Sequence, residues 1–327
     1  MGLKRTIVKA SNIELSIREA FDEYTEEKRA MNLSKKSIDN ICYSFDKWIK
    51  YLEENEFSMN VKSIDQSYLF SFQNHCLENG MKPTSLNHYL RDIRAFVYWC
   101  IERGYLNTKI KIKEVTEQET IKETYTDEEK LKLIAKPSKY CESFVEWRSW
   151  AIVNWALATG HRASTICAIR LGDVNFRKGE IIVRRTKTNK AYITPLSKAL
   201  ATVIKEYIRL FRSKASDEDY LFCNIGNSQL TVNALKHSIR DYNHKRGVDK
   251  TSVHSFRHTF AKDWIRNTGD VFRLQKLLGH TSLEMTRNYV NMFSEDLKEG
   301  FDEHNPLDVL KKNSSRTRTV KKDKDIE

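Results

Sequence analysis

Between Ile13 and Tyr105 the chain contains only two glycines, Gly80 and Gly104, and one proline, Pro83, while apolar residues recur at three- and four-residue spacings. A stretch with this period and so few helix breakers can bury one face only as a set of amphipathic helices. Four are expected, over Ile13–Arg29, Lys36–Glu54, Gln66–Glu78 and Thr84–Arg103. Ser34 and Thr84 are the expected N-caps and Gly80 and Gly104 the stops. The fourth helix sets Arg91 and Arg94 beside Phe96, Val97 and Trp99, so one face can pack while the other meets phosphate, or is merely solvated.

From Asn107 to Tyr125 the pattern breaks, because Lys109, Lys111, Lys113 and Lys122 alternate with β-branched and acidic residues. This reads as a linker, either crossing a nucleic-acid backbone or simply solvated. Thr126 followed by Glu128 and Glu129 starts a new helix that Pro137 ends. Glu146–Thr159 reads as helix, and Ile181–Arg185 and Ala191–Pro195 alternate as strands joined by the polar turn Lys187-Thr188-Asn189-Lys190. Helices resume from Ser197. The expected fold is therefore mainly α with a small antiparallel β-sheet in the second domain. The expected boundaries are a helical domain at 1–106, a linker at 107–124, a mixed domain at 125–310 and a basic, disordered tail at 311–327.

A chain of 327 residues suits two domains of moderate size. Hydrophobic residues make up 40% and charged residues 31%, a globular balance. No apolar run is long enough to span a bilayer, and the basic N-terminus lacks the apolar core of a secretory signal, so a cytoplasmic protein is expected. The six cysteines are far apart, with neither CxxC pairs nor histidines at ligand spacing, which reads as reduced thiols with no metal and no cofactor. Net charge is +12, and the body stays basic after the tail, with its seven basic and three acidic residues, is set aside. A polyanionic partner, nucleic acid first, follows from that charge.

Four short tracts can carry chemistry: Thr159-Gly160-His161-Arg162, the hairpin lysine Lys187, His254-Ser-Phe-Arg257-His258, and Leu278-Gly279-His280 followed nine residues later by Tyr289. Helical spacing puts His254 and Arg257 on one face beside the apolar stripe Phe256, Phe260 and Trp264, with Ala261 continuing the polar face. Singly, each tract is weak. In this order they resemble the motifs of the tyrosine recombinases, or phage integrases, over roughly Tyr125 to Phe301. The helical N-terminal part resembles that family's core-binding domain in pattern.

The resemblance implies a site-specific recombinase that cleaves and rejoins DNA through a 3′-phosphotyrosyl intermediate and a Holliday junction, without metal or ATP. It assigns Tyr289 as nucleophile, Arg162 and Arg257 as the clamp on one phosphate, His254 and His280 as further donors with His254 the proton acceptor, and Lys187 as the general acid. Lys190 lies in the same turn and is the alternative lysine. Arg91, Arg94, Lys109, Lys111 and Lys190 are candidate DNA contacts. Positioned cations suit this reaction because its transition state concentrates negative charge on the non-bridging phosphate oxygens, and guanidinium forks match those oxygens. Expected partners are double-stranded recombination sites, three further copies in a homotetramer on DNA from a monomer in free solution, and an accessory bending or directionality factor. The expected location is the bacterial cytoplasm or nucleoid.

One position departs from the family pattern: Thr165 stands where Glu or Asp is common, which puts the fine positioning of Arg162 in question. A last helix over Ser294–Leu310 is expected either to dock on a neighbouring subunit or to pack on its own domain. Integrase or transposase of a mobile element is the preferred role. An Xer-type resolver, a type IB topoisomerase and a DNA-binding protein without strand transfer remain alternatives.

Overall fold

The computed structural model describes residues 15–108, 110–116, 123–184, 191–268 and 270–280, together with Ser282 and Thr286. The chain divides into two compact units, Met1–Glu119 and Thr120–Glu327. No described helix is long and apolar enough to cross a membrane.

Among its described residues the first unit has four α-helices, α1 (Ile17–Ala30), α2 (Lys35–Glu54), α3 (Gln66–Glu78) and α4 (Pro83–Glu102), and a 3-10 turn at Val61–Ser63. Helix α1 begins where a capping box closes, with Ser16 Oγ accepting from Glu19 N and the Glu19 carboxylate accepting from Ser16 N. Ser34 caps α2. The expected cap at Thr84 is corrected to Lys82, because Pro83 takes the first helical position, where its fixed φ suits the helix and its missing N–H costs nothing. Gly80 and Gly104 lie just past the ends of α3 and α4 with φ of 73° and 76°. An aromatic core of Phe21, Tyr24, Phe45, Trp48, Phe96 and Trp99 fills the bundle, Phe96 meeting Phe21 and Phe45 edge-on.

The first half of the expected linker is part of this unit. Ile110 and Ile112 are buried in its core while Lys111 and Lys113 point out. Two side-chain amides stand in for a strand partner: Gln66 brackets the backbone of Lys111, and Asn87 accepts from Val115 N at 2.7 Å and donates to its carbonyl at 2.8 Å. The alternation that broke the helical period is thus an extended segment with one buried face.

The second unit contains α5 (Asp127–Ile134), α6 (Phe144–Thr159), α7 (Ala163–Ala168), β1 (Val174–Asn175), β2 (Glu180–Val183), β3 (Tyr192–Pro195), α8 (Lys198–Phe211), α9 (Val232–Lys245), α10 (Val253–Thr268) and α11 (Val271–Leu278). Thr126 and Glu129 form the second capping box. Helix α6 is the central rod, buried on nearly every side through Trp147, Trp150, Ile152, Val153 and Trp155 and packed by α5, α8, α9 and α10. The sheet runs β1-β2-β3, antiparallel, with Ile181 opposite Thr194 and Val183 opposite Tyr192. Ile181, Val183 and Thr194 face inward, Ile182 and Ile193 outward. β1, two residues long, has too short a pattern to be read from sequence. Arg185 and Ala191–Pro195 flanked the expected turn; of these Arg185 lies outside the described residues, as do the 294–310 segment and the tail.

Candidate active site

Arg257 is the centre of the site. It lies on the inner side of α10, 4% exposed, where the C-terminal ends of two other helices converge. Its Nη1 donates to the carbonyl of Gly160, the cap of α6, at 2.7 Å, and its Nη2 to the carbonyl of Leu278, the last residue of α11, at 3.0 Å. Carbonyls at helix ends have no partner within their own helix and sit at the negative end of the dipole. These acceptors offset part of the hydration that a buried guanidinium loses.

Both converging helices end on a left-handed glycine, Gly160 and Gly279, each with φ of 62°. A Cβ on Gly160 would come within 2.5 Å of the Phe260 ring and 2.8 Å of Leu278, and one on Gly279 within 3.0 Å of the Tyr192 ring. The glycines of two sequence motifs are thus fixed twice, by backbone conformation and by the closeness of what packs on them. Ala261, expected to continue the polar face of α10, is instead fully buried against Leu274 and Leu278. The reason is α11, which packs on that side of α10 through Leu274 and Leu278.

His280 follows Gly279 and meets Arg257: its Nε2 lies 2.7 Å from Nη2. A guanidinium has donors only, so this imidazole nitrogen is the acceptor and Nδ1, 2.8 Å from the Thr286 hydroxyl, carries the hydrogen. Burial, then the charges of Arg257 and Arg162, hold its pKa down at about 4. His280 is therefore neutral at physiological pH and, in this arrangement, accepts from Arg257 in place of the donor role first expected.

Arg162 caps α7 in extended backbone, half-buried. Its charge reaches His280 and Tyr192, as does that of Arg257, so the fields of two arginines distant in sequence converge on the same groups. Thr165 is buried three residues along α7. His254, one turn before Arg257 on α10, is exposed. The structure thus gathers Arg162, Arg257 and His280, with His254 on the same helix as Arg257. Lys187, Lys190 and Tyr289 lie outside the described residues.

Sequence reasoning missed His161, 2% exposed beneath the site. Its Nδ1 faces the Trp155 indole N–H at 3.1 Å and its Nε2 the Thr194 hydroxyl of β3 at 3.3 Å. The motif position between Gly160 and Arg162 gives no signal of such a role. In the first unit, Arg91 is exposed on α4 beside His88, whereas half-buried Arg94 reaches Glu114 at 3.4 Å. Lys111 is exposed on the pinned strand-like segment, and Lys109 lies outside the described residues. Among the described residues no group of His, Cys, Asp and Glu could hold a metal ion.

Comparison with known proteins covers both units. Residues 124–295 match the phage integrase family, and residues 16–115 match the phage integrase SAM-like domain. The tyrosine recombinase XerA of Pyrococcus furiosus is 28% identical over 289 residues, which is 81% of this chain and 95% of the relative. A lambda integrase tetramer bound to a Holliday junction superimposes with TM-score 0.65 at 17% identity, over 85% of this chain and 78% of that one. The Tn1549 transposon integrase, residues 82–397, in complex with circular intermediate DNA, gives TM-score 0.65 at 18% identity over 84% and 95%.

Proposed function

Because the chain belongs to the phage integrase family of tyrosine recombinases, a family of site-specific DNA recombinases, we propose that Tyr289 is its nucleophile and that Arg162 and Arg257 hold the scissile phosphate. The observation that carries this reading is the junction at Arg257, whose guanidinium donates to the carbonyl of Gly160, two residues before Arg162, and to His280, so that two cations are gathered in one site. Such a cluster of like charges is unfavourable until an anion enters, and a phosphodiester gaining charge in its transition state is the anion that profits most.

In the proposed step the Tyr289 phenolic oxygen bonds to phosphorus and the bond from phosphorus to the 5′ oxygen breaks. His254 accepts the phenol proton. Lys187, or Lys190 in the same turn, donates a proton to the leaving 5′ oxygen, which departs as a hydroxyl. The phosphotyrosine keeps the energy of the broken bond, so a 5′ hydroxyl from a partner strand can reverse the chemistry without ATP. Neutral His280 orients Arg257. Arg91, Arg94, Lys109 and Lys111 contribute phosphate contacts.

At the level of biological role we read the protein as an integrase or transposase of a mobile element, acting as a homotetramer on two double-stranded sites with an accessory factor, in the bacterial cytoplasm or nucleoid. A second reading, Xer-type dimer resolution, is favoured by the likeness to XerA along 95% of that protein.

The test uses nicked suicide duplexes carrying either the ends of the surrounding element or the chromosomal dimer-resolution site. Wild type should yield a covalent adduct on a denaturing gel and Tyr289→Phe none, with both binding DNA equally. Adduct from Tyr289→Phe would overturn the nucleophile, and adduct on the dimer site alone would replace the mobile-element role with the second reading.

A further inference from the structure

His161 is 2% exposed beneath the site and has a hydrogen-bond partner at each ring nitrogen, neither of them a group assigned to the reaction. Its surroundings fix its state. The Trp155 indole can only donate, so Nδ1 is an acceptor and the hydrogen must sit on Nε2, from which it is donated to the Thr194 hydroxyl. The ring also meets Tyr192 edge-on, with centroids 6.3 Å apart. Burial, followed by the charge of Arg257, holds the pKa at about 3, so this single neutral tautomer is the form present throughout the physiological range.

The two partners belong to different parts of the unit. Trp155 is in the central helix α6, and His161 lies in the turn between Gly160, whose carbonyl receives Arg257, and Arg162. Thr194 and Tyr192 are in β3, and Tyr192 packs on Gly279. Among the described residues β3 is an edge strand, paired in the sheet with β2 alone. In sequence, the residues joining β2 to β3 include Lys187. A hydrogen bond from the arginine turn to the middle of β3 sets where that connection returns to the fold.

We propose that His161 is a positioning residue that locks β3 to the turn presenting Arg162 and so couples the order of β2 and β3 to the phosphate clamp. The proposal rests on the assignment of Lys187 or Lys190 as general acid only for its kinetic consequence. Its structural consequence stands without that assignment.

Two variants separate the hydrogen bond from bulk. Thr194→Val keeps the β-branched shape and removes the hydroxyl, and His161→Leu keeps most of the volume and removes both ring nitrogens. In hydrogen exchange on the full-length protein without DNA, both should speed amide exchange in β2 and β3 by about tenfold while α6 and α10 keep wild-type protection. Unchanged exchange in β2 and β3 would overturn the proposal whatever the protein does to DNA.

On a suicide duplex that the wild type cleaves, both variants should slow covalent adduct formation about tenfold or more, with no further loss in the double variant. A 5′-bridging phosphorothiolate duplex supplies a sulfur leaving group that needs no protonation, and on it both variants should return to within about threefold of wild type. A deficit equal on the two substrates would mean that His161 acts through the arginines or the fold at large, and the proposal would fall. Lys187→Ala and Lys190→Ala run on the same pair of substrates report separately on the general acid.

Discussion

Nη2 of Arg257 donates to Nε2 of His280 at 2.7 Å while its companion Nη1 donates to the Gly160 carbonyl, so one buried guanidinium joins the two glycine-ended helix termini of the site. Lysine in its place would keep the charge but lose the planar fork. Arg257→Lys is expected to slow adduct formation by about 10²–10³-fold, in the range seen when one preorganised donor is removed from a transition state. DNA affinity in gel shift should change by less than about threefold. Parallel losses in binding and chemistry would contradict a clamp that acts mainly in the transition state.

The two glycines make a graded prediction for stability. Gly160→Ala combines left-handed strain with contacts of 2.5 Å and 2.8 Å to Phe260 and Leu278. The expected cost is about 2–4 kcal/mol, from strain plus overpacking. Gly80→Ala, with the same sign of φ and nothing within 4 Å, should lose only the strain. Thermal melts of the two variants give the comparison, and equal Tm losses would refute the packing argument.

Acid should destabilise the second unit through its buried histidines. His161 and His280 have folded pKa values near 3 and 4 against an ordinary 6.5. The unfolded chain therefore binds protons that the folded one refuses. Their contribution is fully present above pH 6.5 and is lost progressively as pH falls towards these folded values. A Tm series from pH 7.5 down to about 4 should fall less steeply for His161→Leu than for wild type, because one of the two groups is gone. Parallel curves would show that His161 takes up no proton on unfolding.

Salt dependence distinguishes the two arginines of α4. Arg91 is exposed, whereas Arg94 is within reach of the Glu114 carboxylate. Arg91→Ala should reduce the slope of log affinity against log salt by about 1, the loss of one phosphate contact. Arg94→Ala should reduce it by less, and in a Glu114→Gln background, which frees Arg94, the two losses should become equal. Fluorescence anisotropy over a potassium chloride series measures all three.

How much was legible in the sequence differs by element. The boundaries of α3 were readable to the residue, and Ser34, Thr126 and the glycine stops were readable because caps and breakers act locally. The 110–115 segment was misread because its burial depends on side-chain amides from Gln66 and Asn87, partners far away in sequence. Arg162, Arg257 and His280 were singled out from ordered motifs, and the structure puts Arg257 and His280 in hydrogen-bond contact. The conversion of His280 into an acceptor came only from seeing what faces its ring. His161 was invisible for the opposite reason: nothing in the pattern around it sets it apart, and its meaning lies in one donor from α6 and one hydroxyl from β3.

The outward pair Ile182 and Ile193 has a practical consequence for handling the protein. These cross-strand neighbours are 37% and 61% exposed on the outer face of a small sheet. High salt suppresses non-specific contact with nucleic acid, yet ions excluded from protein surfaces strengthen apolar burial. Sulfate or phosphate added to strip DNA during purification would thus drive self-association through this patch, whereas chloride would strip the DNA with less of that penalty. Replacing both isoleucines with threonine, a strand former, would remove this patch's share of the dependence on the anion.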